Sequence, residues 1–90
     1  MLDKAKKEKL IKKYRTHEAD TGSPQVQVAI LTEEVKELTK HLKAHRKDFS
    51  SRRGLVKKVA ERRRLLKYLE REDQAAYEAL IADLGLKKQA

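Results

Sequence analysis

Val28, Leu31, Val35, Leu38 and Leu42 recur at spacings of three and four residues. An apolar seam of that period keeps to one side of an α-helix, and another helix must cover it. The seam is framed by helix punctuation. Ser23 is a good N-cap, and Pro24 suits the first helical position, where its missing N–H would be unpaired in any case. Val26, Ala29 and Ile30 widen the face. The pattern predicts a helix over 24–45, with His45 taking the next seam position and closing its end. A rod of this length needs a long partner. The one stretch that mimics strand alternation, Val26, Val28 and Ile30, is too short to compete with it.

The partner follows at once. The turn around residues 46–51 is short, so the next helix returns antiparallel. Asp48 or Ser50 caps it, and Leu55, Val56, Val59, Leu65, Leu66 and Leu69 carry it to about Glu72. Asp73 caps a fourth helix with Tyr77, Leu80, Ile81 and Leu84 on its apolar face. Gly85 fits the left-handed position after that helix, and Leu86 is placed to pack back on Ile81. Upstream, a short helix runs from Asp3 to about Tyr14. Its stripe of Leu10, Ile11 and Tyr14 is thin, and the rest is lysine. Alone, a helix this short is marginal in water. The expected fold is one all-α domain over residues 1–90. It has four helices: an antiparallel three-helix core with long second and third helices, and a loosely docked N-terminal helix, mobile over 1–16.

Charge narrows the function. Lys and Arg number 23 against 14 Asp and Glu, a net charge of +9. No apolar run approaches the ~18–20 residues that span a bilayer, and the first residues lack the apolar stretch of a secretory signal. The expectation is a soluble cytoplasmic protein. Cysteine is absent, which excludes disulfides and thiol chemistry. The third helix concentrates the excess: Arg52, Arg53, Lys57, Lys58, Arg62, Arg63, Arg64, Lys67 and Arg71 against Glu61 and Glu70. Like charges on one helix repel, so a polyanionic partner is the better explanation. A membrane-surface helix would want interfacial aromatics. There is no Trp, and the aromatics are Tyr14, Phe49, Tyr68 and Tyr77. Nucleic acid is preferred over membrane.

No nucleophile elbow or phosphate-cradling glycine loop occurs. His41 and His45 stand four apart, with Asp48 three further on, the spacing of a metal clamp. The surrounding Lys and Arg would repel a cation, so no metal or cofactor is expected. A metal hydrolase built on these three residues is the rival from another class, and a DNA-binding helical module is the rival among binding proteins. The polar loop Asp20-Thr21-Gly22-Ser23 lies at a helix N-terminus, where free N–H groups and the helix dipole favour phosphate. Gln27 follows in the first turn, able to donate and accept. Gln27 and His41 stand roughly 21 Å apart along one helix, a span suited to the shape of a folded RNA.

These residues also resemble a known family. Asp20-Thr21-Gly22-Ser23 followed by V-Q-V-A-I-L-T, then L-x-x-H-L-x-x-H-x-K-D-x-x-S-R-R-G-L, then R-R-R-L-L-x-Y-L, is similar to bacterial small-subunit ribosomal protein number fifteen. The likeness runs from Asp20 to Leu86 and is most specific from His41 to Leu69. It implies a non-enzymatic primary binder of small-subunit ribosomal RNA in the platform, which promotes assembly and has a first helix that can detach. Thr21, Gly22, Gln27 and Tyr68 would serve a three-way junction. His41, Asp48 and Ser51 would serve a nearby purine-rich minor groove, and Arg64 joins the contact set. The implied partners are that RNA, neighbouring platform proteins and, across the subunit interface, large-subunit RNA. The free chain is expected to be a monomer. Two departures stand out: Phe49 and Ser50 replace a commoner His-His pair, and the second helix opens Ser-Pro-Gln rather than Ser-Thr-Glu.

Overall fold

A computed structural model describes residues 2–20 and 22–86. Four α-helices follow in order: α1 (Lys4–Tyr14), α2 (Pro24–Ala44), α3 (Phe49–Glu72) and α4 (Gln74–Leu84). Each opens on a side-chain cap that satisfies a backbone N–H otherwise left without a partner. Asp3 accepts from Lys6 N at 2.8 Å, Ser23 from Val26 N at 3.3 Å, Asp48 from Ser51 N at 3.0 Å and Asp73 from Ala76 N at 3.1 Å. Asp73 is both the end of α3 and the cap of α4, so the chain reverses there without a loop. At the far end Gly85 adopts φ 69°, and Leu86 N donates to Ile81 O at 2.9 Å while Gly85 N donates to Ala82 O at 3.3 Å. Both bonds of a Schellman stop are therefore present, and Leu86 packs on the core.

The core sits at one end of the α2–α3 hairpin. Val28 from α2, Leu66 and Leu69 from α3, and Tyr77, Leu80 and Ile81 from α4 form it, with Tyr14 and Leu65 against its rim. Towards the turn the seam thins. Leu42 and Leu55 are only half-buried, and Val56 is 64% exposed. α2 ends one residue short of the predicted limit. His45 is an exposed C-cap, with φ −130°, so it does not close the seam. The turn end is thus a two-helix tip that projects beyond the three-helix core.

Polar contacts fasten α1, which buries none of its own residues. Lys6 Nζ reaches Glu37 at 3.0 Å and Glu33 at 3.7 Å, both on α2. Those carboxylates, Glu37 first through its hydrogen bond, raise the pKa of the Lys6 ammonium. Tyr14 donates its hydroxyl proton to Asp83 on α4, and Lys13 Nζ lies 3.7 Å from the same carboxylate. Burial, followed by the bond to Asp83, pushes the Tyr14 hydroxyl up to about 12.

Candidate nucleic-acid interface

The three polar groups assigned to the minor groove in the sequence, His41, Asp48 and Ser51, come together at the tip. Asp48 caps α3, so its carboxylate lies at the hairpin turn. Ser51, one turn into α3, donates its backbone N–H to Oδ1 at 3.0 Å and its hydroxyl to Oδ2 at 2.7 Å. His41, in the last turn of α2, places Nε2 2.7 Å from the same Oδ2. The Ser51 hydroxyl, then the Ser51 N–H, then His41 hold the Asp48 carboxyl far below its ordinary range. His45 stacks on His41 with ring centroids 4.6 Å apart. Arg52 Nη2 donates to Arg46 O at 2.8 Å and ties the turn to α3. A carboxylate only accepts, so His41 Nε2 must carry a proton here and Ser51 must donate its own. What remains for a partner is acceptor capacity: the Ser51 oxygen lone pairs and, on a neutral ring, His41 Nδ1.

The first loop is ordered by a residue the sequence reading left aside. Asp20 is only 7% exposed. It accepts four hydrogen bonds: from Thr16 N at 2.8 Å, Thr16 Oγ1 at 3.0 Å, Gly22 N at 3.0 Å and Ser23 N at 2.8 Å. Ser23 and Thr16 are the main causes of its strongly lowered pKa. At Gly22, Ser23 and Val26 the expectation of free N–H groups awaiting a phosphate is therefore corrected. Gly22 and Ser23 give their N–H groups to Asp20, and Val26 gives its own to Ser23 Oγ. The signal was present in the sequence, since an Asp two residues before a Gly commonly bonds that Gly's N–H in an Asx turn. Gln27 Nε2 donates to Gly22 O at 2.6 Å, which leaves Oε1 and one amide hydrogen for a partner. Gly22 is exposed, and nothing lies within 4 Å of the position its Cβ would take. Thr21, the remaining loop candidate, lies outside the described residues.

The pairing of Lys58 with Glu34, 3.3 Å apart, and the joint burial of Val28 and Leu66 set the hairpin register. That register puts Tyr68 level with the first turn of α2. Tyr68 is exposed, and the Arg71 guanidinium lies 5.6 Å above its ring. Arg64 is exposed on α3. The basic helix divides. Lys58 turns inward to nearly buried Glu34, and burial lowers the pKa of half-exposed Arg62. Arg52, Arg53, Lys57, Arg63, Arg64, Lys67 and Arg71 stay exposed. Among the described residues, no three His, Cys, Asp or Glu side chains are grouped to hold a metal ion. No helix of these residues is long and apolar enough to cross a membrane.

A family model described as Ribosomal protein S15 matches residues 6–87, which include both polar clusters and all of α2, α3 and α4. The chain belongs to the ribosomal protein S15 family. Its similarity to curated members of that family is close and nearly end to end. The protein named small ribosomal subunit protein uS15 from Carboxydothermus hydrogenoformans is 56% identical over 87 residues, 97% of this chain and 98% of the relative. That of Clostridium botulinum is also 56% identical, over 97% of this chain and 100% of its own length. That of Dictyoglomus thermophilum is 53% identical over 97% and 98%. The resemblance found in the loop and tip motifs thus extends, as S15 membership, across α1 as well, where the lysine-rich segment offered only a generic match.

Proposed function

We propose that this chain is a structural, non-enzymatic constituent of the small ribosomal subunit, working in the cytoplasm. It binds small-subunit ribosomal RNA at a helical junction and an adjacent minor groove, and so promotes assembly. The observation that carries this reading is the placement of two internally bonded polar clusters at opposite ends of one α2–α3 rod, with unpaired cations along α3 between them. Preorganised groups lose little entropy on binding. Exposed Lys and Arg supply the sequence-independent phosphate attraction, and the clusters supply selectivity. The wide, shallow RNA minor groove exposes guanine amino groups and 2′-hydroxyls, donors that match the remaining acceptors at the tip. Neighbouring platform proteins and large-subunit RNA are the further partners this reading implies. A DNA-binding module fits less well, because the long helices spend their seam on each other and leave no short recognition helix. The metal-hydrolase reading loses its ligands to the mutual bonds of His41 and Asp48.

Gly22→Val tests the loop end. The added side chain meets nothing within the protein, and Gly22 does not need a positive φ. Circular dichroism and thermal stability should stay at wild type, while affinity for the junction RNA falls about tenfold, the worth of one or two hydrogen bonds. Wild-type affinity would remove this loop from the interface. A duplex DNA competitor in the same titration separates the two nucleic acids.

We also propose that α1 is a detachable appendage. Its ion pairs reach solvent and contribute little to stability, and its own apolar residues Leu10, Ile11 and Tyr14 are only half-buried, with buried Leu2 just ahead of the helix. A chain that begins at Thr16 keeps the Asp20 network intact. It is expected to unfold cooperatively and to retain junction-RNA affinity. A truncated chain that melts without a cooperative transition would show α1 to be integral.

A further inference from the structure

Phe49 opens α3 with 63% of its surface exposed, among the most exposed large apolar side chains of the described residues. It is not spare core. The helical period turns Ser51 towards α2 and Phe49 the opposite way, onto a stripe that continues through Arg53 and Val56. Val56 is 64% exposed, and Arg53 and Lys57 beside it are exposed as well. Arg46 and Lys47, both exposed, immediately precede the turn. The acid of this region, Asp48, has its carboxylate committed to Ser51 and His41. An exposed ring set among unpaired cations has the composition of a surface on which a nucleobase stacks while the cations track its backbone. A protein partner with an apolar face would have to accept that density of positive charge.

We infer that Phe49 is a stacking platform for one unpaired base of an RNA segment, with Arg53, Arg46 and Lys47 holding the flanking phosphates. The site is separate from the minor-groove cluster. Phe49 and Ser51 leave opposite sides of α3, so one tip takes a paired groove on one side and an unpaired nucleotide on the other. This rests on the RNA-binding reading proposed above and adds a second ligand class to it.

Four proteins decide the matter: wild type, Phe49→Ala, Phe49→Leu and Phe49→Trp. Each is titrated at one salt concentration with a short oligoadenylate, a fully paired RNA duplex and the junction RNA. Phe49→Ala should lower oligoadenylate affinity about 5- to 150-fold, the usual worth of one base on an aromatic ring, and leave duplex affinity unchanged. Phe49→Trp should retain oligoadenylate binding. Its tryptophan, the sole one in a chain that otherwise has none, should be quenched on saturation. Phe49→Leu keeps the apolar area without a π-face and should bind like the alanine variant. Wild-type oligoadenylate affinity in Phe49→Ala, or full recovery in Phe49→Leu, would overturn the stacking site while normal junction binding leaves the functional reading standing. A wild type that ignores the junction RNA overturns both.

Discussion

Replacing Tyr77 by alanine is expected to destabilise the domain by about 3–5 kcal/mol, the usual range for truncating a buried aromatic. Tyr77 is the largest of the fully buried side chains, at 0% exposure, and α4 brings it against Val28, Leu66 and Leu69. A domain of this size has about 5–14 kcal/mol in hand at best, so the loss is a large share of the total. Each kcal/mol moves Tm by about 4–8 °C in a domain this small. A thermal melt followed by far-ultraviolet circular dichroism measures it. Val56→Ala is the control. It removes apolar atoms from a side chain that is 64% exposed, and should shift Tm very little. Equal shifts in the two variants would show that α4 does not close the core. Tyr77→Phe, which keeps the ring, should fall well short of the alanine variant.

That asymmetry between a stable end and a bare tip was only half legible in the sequence. Spacings of three and four gave the apolar side of α2, and Ser23, Asp48, Asp73 and Gly85 marked helix ends that the structure places within a residue of expectation. Periodicity reports which side of a helix is apolar, however, and not how far along its length a partner covers it. α4 is only eleven residues long and covers one end, so Leu42 is half-buried and His45 lies in solvent. Charge counting has the same blindness to depth. Lys58 and Arg62 add to the basic total of α3, yet the hairpin turns both inward. In the candidate site, Asp48 was legible as a cap from its place before the helix. Its bond to His41, seven residues upstream, was not, because only the register of the folded hairpin brings that ring to Oδ2. Asp20 was missed for a different reason. Its four bonds are local, but attention to the loop's N–H groups as phosphate donors passed over the carboxylate two residues before Gly22 that claims them.

The tip network makes the sharpest claim about recognition, and Asp48→Asn tests it. Asparagine is as good an N-cap as aspartate, and its Oδ1 can still accept from Ser51 N, so helix content and Tm should hold close to wild type. The change falls on Oδ2, which becomes an NH₂ group. A donor then faces the Ser51 hydroxyl and His41 Nε2, where an acceptor held both at 2.7 Å. Ser51 must turn its proton away, and the His41 ring must move its proton to Nδ1 to accept. Both groups thereby change from acceptors to donors. They would meet the amino groups and 2′-hydroxyls of an RNA minor groove donor to donor. Affinity for the junction RNA should fall about ten- to a hundredfold, the worth of one or two such hydrogen bonds. Affinity for a random duplex at the same salt should stay level or tighten slightly, because a negative charge has left a basic surface. Simple electrostatic attachment requires the junction RNA to follow the random duplex in both sign and size. Cognate binding that equals or exceeds wild type would therefore reject groove readout through Asp48 and leave phosphate attraction as the role of this end of the rod.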